Sequence, residues 1–276
     1  MRKLSVNQLT TMQWSFAEDL GFYSKCGIER IGICRAKARE FGIEKCREVL
    51  ADEQVVPSSY GCATFFSDIN GPSLAEQIGQ TRRDIEDAAT VGAECLVVHT
   101  GGPRRHLRKN RFCAAKKSID QLLPIAEEYG VSLALEPLAV DPVCQTRFSH
   151  SLSDCVELID SYQNVFLGLN LDLFHIGNSF LELDPGWFSK NVRLIQLSDF
   201  CRQGQQWVRC AMGKGELRLR EFCNFVDSTR YDGVFEFETH GEWFDFVSYR
   251  ETIASLAENF SVIQEGPSVE FESMKA

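Results

Sequence analysis

Eight short apolar runs, each followed by a segment of helical periodicity, constrain this chain more than any other feature. The runs are Leu4–Gln8, Ile28–Cys34, Val55–Ser59, Cys95–His99, Val131–Glu136, Val165–Asp172, Val192–Ser198 and Val234–Glu238. Strands joined by helices rather than by tight turns must lie parallel, because each crossover carries the chain back to the edge where it started. Eight such units in 276 residues match a single (β/α)8 TIM barrel, which commonly needs about 250. The expected organisation is therefore one α/β domain over residues 1–263, with the polar stretch 264–276 as a C-terminal tail.

The crossovers read as helices at Trp14–Cys26 behind a Thr11 cap, Ile43–Leu50, Ser73–Thr90, Arg108–Tyr129, Leu152–Ser161, Leu217–Asp227 and Phe246–Phe260. The crossover at Phe180–Lys190 carries Pro185 and Gly186 and has the faintest helical pattern.

Four of the runs end in a polar residue: Glu136 in LALEPL, Asp172 in NLDLFH, Gln196 in LIQLSD and Glu238 in VFEFETH. Each has an ordinary explanation when taken alone, such as Asp172 capping the segment that follows it. Strand alternation, however, gives all four the same face. Glu136 lies with Ala134 and Ser132, Asp172 with Asn170 and Gly168, Gln196 with Ser198 and Leu194, while the large aliphatics take the opposite face. His99 falls with Val97 and Cys95 in the same way. In a barrel the carboxyl ends of the strands share one mouth, so three carboxylates and an amide meet there. Such carboxylates repel unless a cation lies between them. An all-oxygen donor set favours one divalent metal ion, Mg²⁺ or Mn²⁺, with Co²⁺ or Zn²⁺ as alternatives. Glu236 shares the face of Glu238 one layer deeper and calls for an Arg or Lys partner, or a proton.

A net charge of −10 argues against broad phosphate binding, and no run is long and apolar enough for a membrane helix. A small-molecule substrate is the expected partner, with neither nucleic acid nor membrane, and self-association into a homo-oligomer stays open. The polar N-terminal stretch and the 11 unpaired-looking cysteines, none in a CxxC, predict a soluble, cytoplasmic chain with reduced thiols.

With SVNQLTT, GIERIGICRAKAREFG, ECLVVHTGG, LALEPL, NLDLFH, LIQLSD, GKGE and RYDGVFEFE in order, nearly the whole chain resembles the xylose isomerase-like TIM barrels, the sugar phosphate isomerase/epimerase superfamily. The resemblance implies that Glu136, Asp172, Gln196 and Glu238 are metal ligands and that Glu136 and Glu238 are the catalytic acid and base. His175, three residues after Asp172, matches a substrate-binding histidine of the superfamily. His99, Arg147 and Lys214 are further substrate-binding candidates. Arg147 follows Glu136 in a loop and suits an anionic group, and Lys214 lies between two glycines in a loop able to close over substrate. Many relatives carry His at the Gln196 position, whereas some dehydroshikimate dehydratases carry Gln. The implied activity is thus a divalent-metal-dependent isomerase or epimerase of a small sugar, polyol or hydroxy-carbonyl compound. A lyase of the dehydroshikimate dehydratase type and a non-catalytic binding homologue are the rivals. Apurinic endonucleases share the barrel but use a trinuclear zinc cluster with several histidines, and this chain has five His in all.

Overall fold

The computed structural model describes residues 2–64, 72–99, 107–138, 151–204, 206–210, 214–239, 249–254 and 256. Its strands are β1 (Lys3–Asn7), β2 (Arg30–Cys34), β3 (Val56–Thr64), β4 (Cys95–His99), β5 (Ser132–Glu136), β6 (Leu167–Asp172), β7 (Val192–Leu197), β8 (Asp199–Gln203), β9 (Gln206–Cys210) and β10 (Val234–Phe237). Eight of them close a barrel in the order β1-β10-β7-β6-β5-β4-β3-β2, with parallel pairing throughout. The eight expected strands are all present and the chain is a single-domain (β/α)8 barrel. An antiparallel hairpin, β8 with β9, follows β7 and was not anticipated. Its turn needs Gly204, whose φ of +64° favours a residue without a Cβ.

The helices are α1 (Phe16–Lys25), α2 (Arg35–Phe41), α3 (Ile43–Asp52), α4 (Leu74–Val91), α5 (Arg108–Tyr129), α6 (Leu152–Tyr162), α7 (Leu173–Ile176), α8 (Pro185–Asn191) and α9 (Leu219–Thr229). Ser15, not Thr11, caps α1, in a reciprocal box with Glu18, and Ser73 with Glu76 does the same for α4. Pro185 opens α8 instead of breaking it: at the first helical position its missing N–H costs nothing, and Asp184 caps the turn.

Two cores follow from the alternation along the strands. Leu133, Leu135, Leu169, Leu171, Ile195, Leu197, Phe235 and Phe237 face the helices. Cys95, Val97, Ala134, Leu194 and Val234 form a smaller cluster inside the barrel, on the faces that also carry His99, Glu136, Gln196 and Glu236. The interior is thus packed below and polar above.

Thr11 belongs to a buried network at the ends of β1 and β2. Lys37 donates to Asp19 at 2.7 Å and to the carbonyls of Thr11 and Gln8 at 2.7 and 3.0 Å. Asp19 also accepts from Thr11 and Gln8, so α1, α2 and the end of β1 are tied into one corner of the mouth. Among the described residues the cysteines are free thiols, and no helix is long and apolar enough to cross a membrane. The proposed tail and most of the Phe246–Phe260 helix lie outside the described residues.

Candidate active site

Each site residue stands where the last interior-facing position of a strand meets the mouth. Glu136 ends β5, Asp172 ends β6, Gln196 is the last interior position of β7, and Glu238 immediately follows β10. Register brings them to one level: His99 pairs with Glu136, and Asp172 with Gln196. All four expected ligand residues are buried, so none is a solvated strand end.

The two histidines gather on the β5–β6 side. His99 Nε2 lies 3.1 Å from Glu136 Oε2, and His175 Nε2 lies 3.5 Å from Glu136 Oε1 and 3.6 Å from Asp172 Oδ2. Cys62 of β3 also hydrogen-bonds His99. Burial disfavours the His99 imidazolium, but Glu136 and Cys62 outweigh it and raise the pKa well above the ordinary histidine value. Burial likewise opposes the Glu136 carboxylate, yet His99, His175 and Arg209 hold its pKa below the ordinary value. Asp172 moves the other way. Burial raises its pKa, helped by Glu238 and Glu136, against the pull of Arg209 and His175.

Arg209 was missed in the sequence. It comes from β9, is buried, and donates to Asp172 Oδ2 at 2.8 Å and to Ser198 Oγ at 3.3 Å. It lies 3.8 Å from Glu238 Oε1 and stacks over Phe174 at 4.2 Å. The available signal was the hairpin pattern FCRQGQQWVRC, a glycine between two alternating runs directly after β7. Asp199 anchors the hairpin's return by accepting from the Gly215 and Leu217 amides at 2.9 and 3.1 Å.

Gln196 occupies the opposite side. Its Nε2 donates to Glu238 Oε2 at 2.5 Å and to Glu236 Oε1 at 3.1 Å, and its Oε1 accepts from Asn170 Nδ2 at 2.5 Å. Among the described residues no cationic side chain lies against Glu236. Asn7 Nδ2, Ser58 Oγ and Ser59 Oγ donate to it at 2.7, 2.6 and 2.8 Å, while burial raises its pKa above the ordinary carboxylate value. Both serines reach it because the β2–β3 register slips between Ile31 and Gly32, turning two consecutive residues inward.

Of the substrate-binding candidates, His99 and His175 join the site. Lys214 is exposed on the segment after β9, and Arg147 lies outside the described residues. One ligand atom from each of Glu136, Asp172 and His175 lies within 4.8 Å of the others. Two carboxylates and an imidazole at that separation fit one ion.

The chain was compared with known proteins. No curated protein matches it by sequence. A solved structure titled IOLI protein with a binding zinc atom is 20% identical, with a TM-score of 0.82 over 97% of this chain and 100% of that one. The protein SMc04130 from Sinorhizobium meliloti 1021 is 22% identical, with a TM-score of 0.81 over 95% of this chain and 98% of that one. An L-ribulose 3-epimerase is 14% identical, with a TM-score of 0.71 over 96% and 94%. At these identities the likeness establishes the fold alone. The model of the xylose isomerase-like TIM barrel family matches residues 17–263, which includes every strand from β2 to β10, and the chain belongs to that family.

Proposed function

We propose that this protein is a divalent-metal-dependent isomerase or epimerase of a small sugar, polyol or related hydroxy-carbonyl compound. The observation that carries the proposal is the convergence of Glu136, Asp172 and His175 within reach of one ion, at the mouth of a barrel that also delivers Glu238. Membership of the family supports it, and so does the likeness to a ribulose epimerase.

Glu136, Asp172 and His175 would hold the ion on one side, with the Glu238 carboxylate available on the other. A bound ion would polarise substrate oxygens as a Lewis acid and favour the enediolate-like charge formed next to a carbonyl. His175 adds a nitrogen donor, which brings Zn²⁺ and Co²⁺ into range beside Mn²⁺ and Mg²⁺.

The protein's own groups supply the rest. Glu238 takes the proton from the carbon next to the carbonyl, and Glu136 serves the opposite face, their strands being separated around the ring by β6 and β7. Return of the proton to the opposite face of the same carbon gives an epimer, and return to the neighbouring carbon gives an aldose–ketose isomer. Loss of a hydroxyl instead gives the dehydration product of the rival lyase reading. Arg209 holds Asp172 and presents its charge towards the mouth, where it suits a substrate oxygen.

The test has two parts. Metal analysis and Mn²⁺ titration of the purified protein should find one ion per chain. With the ion bound, a panel of ketoses and cyclic hydroxy acids in D₂O should show solvent deuterium entering next to the carbonyl, read by NMR. An ion with no exchange, turnover or dehydration across the panel would assign the protein to small-molecule binding instead.

A further inference from the structure

Glu236 has no part in the chemistry proposed above, yet it is fully buried one layer below Glu238. Donors from three other strands fix it: Asn7 on β1, Ser58 and Ser59 on β3, and Gln196 on β7. The space it fills exists because residue 32 is glycine, where a Cβ would lie 2.5 Å from the Glu236 carboxyl carbon. Its two oxygens divide the work. Oε2 takes the two serine hydroxyls, and Oε1 takes the amide nitrogens of Asn7 and Gln196.

That division decides how Gln196 can stand. A side-chain amide has one donor end and one acceptor end, and the end facing a carboxylate must be the donor. Its oxygen is then turned towards Asn170, away from the metal cluster, and its nitrogen bridges Glu236 and Glu238. Asn170 Oδ1 has no hydrogen-bond partner among the described residues, so nothing else fixes which way the Asn170 amide faces. The orientation of the Gln196–Asn170 pair is therefore set by the carboxylates that share the Gln196 nitrogen, Glu238 at the mouth and Glu236 below it.

We propose that Glu236 is a positioning residue that acts through Gln196, straps Glu238 to the barrel floor and keeps the Gln196 oxygen from serving as a metal ligand. The ligand half of this inference rests on the metal-dependent reading of the site, whereas the strap does not.

Two substitutions separate this role from simple charge. In Glu236→Gln the new NH₂ can face the serine hydroxyls, which also accept, and the new oxygen still takes Asn7 and Gln196, so the strap survives. In Glu236→Leu the lower acceptor is gone, and once Glu238 turns to the ion nothing keeps the Gln196 nitrogen in place, so the amide is free to turn its oxygen to the metal. Mn²⁺ affinity, followed by EPR, should be at least ~10-fold tighter in Glu236→Leu than in Glu236→Gln, the size of effect that groups behind metal ligands commonly have. If Glu236 matters only as negative charge, the two variants lose affinity alike, and that result would overturn the proposal.

A metal-free readout accompanies the titration. The Gln196 side-chain amide signals, identified by their loss in Gln196→Met, should keep their position in Glu236→Gln and move in Glu236→Leu. Identical signals in all three proteins would refute the strap. Should Glu236→Leu fail to fold, Glu236→Met removes the same acceptor with an unbranched side chain of similar length and carries the same expectation of tighter Mn²⁺ binding. Absence of Mn²⁺ binding by the wild-type protein would sink the metal-dependent reading, and the amide signals would still decide the strap.

Discussion

Replacing Lys37 by Met should destabilise the protein strongly at pH 8 and weakly at pH 5. Lys37 is 8% exposed, and Asp19, its 2.7 Å partner, is fully buried. Removing one member of a buried pair leaves the other charge uncompensated, at a cost of about 3–5 kcal/mol. Asp19 can escape by taking a proton, which at pH 8 costs ~1.4 kcal/mol for each unit above its wild-type value of about 6 and so limits the charge part of the loss to about 3 kcal/mol. The sign follows from the wild-type carboxyl, which burial, against the pull of Lys37, raises from 3.8 to about 6. A folded value above the unfolded one contributes stability that is complete below pH 3.8 and lost as pH rises through 6. Without Lys37 the folded value rises further, so the gap between variant and wild type opens above pH 6. At pH 5 both proteins carry a protonated Asp19, and what remains is the loss of two hydrogen bonds to carbonyls, at about 1 kcal/mol each.

Urea denaturation followed by circular dichroism at the two pH values measures this, and the melting temperature at pH 8 should fall by roughly 6–20 °C. A loss at pH 8 below about 1 kcal/mol, or equal losses at both pH values, would refute the assignment of Lys37 as the counter-charge that makes a buried Asp19 tolerable.

Three further outcomes follow from the site. Gly32→Ala places a Cβ 2.5 Å from the Glu236 carboxyl carbon, held by four donors, and should cost about 1–3 kcal/mol in chemical denaturation. Arg209→Met leaves the buried Asp172 carboxylate without its cation. The variant should lose about 3 kcal/mol without divalent metal and recover most of it at saturating Mn²⁺, read as melting temperature with and without the ion. Glu238→Gln should lower kcat by ~10² or more at full metal occupancy, and an unchanged kcat would reduce Glu238 to a binding role.

The barrel was legible because its signal is periodic. Leu133, Leu135, Leu169 and Leu171 alternate with Ala134, Glu136, Asn170 and Asp172, as in a barrel strand between a helix layer and a packed interior, and the helical crossovers between such runs make the strands parallel. The strand-end residues were legible for the same reason, since the position of one interior residue on a strand fixes the faces of all the others. Arg209 was not, because it reaches the mouth from a hairpin outside the eightfold repeat. Nor were the partners of Glu236. The charge-pairing rule called for Arg or Lys, or a proton; the pKa is indeed raised by burial, but the hydrogen-bond partners are Asn7, Ser58, Ser59 and Gln196, and the two serines face inward through a register slip that alternation does not foresee. Local fit decided the caps as well: Thr11 has the right chemistry for an N-cap, but it is drawn into the Asp19 network while Ser15 stands at the helix start.

Asp172 shows why the ordinary and the functional explanation of a strand-end acid need not compete. Its Oδ1 accepts the Phe174 amide at 2.8 Å and caps the short α7, while its Oδ2 faces Arg209 and His175. The cap fixes the plane of the carboxylate, so the second oxygen is aimed before any ligand arrives. Because α7 also carries His175, the same turn sets the distance between two of the three clustered donors. Replacing Asp172 by Asn would keep an acceptor for the cap but remove the negative charge that faces Arg209 and His175. The cap and the donor cluster are therefore separable by experiment although a single side chain serves both.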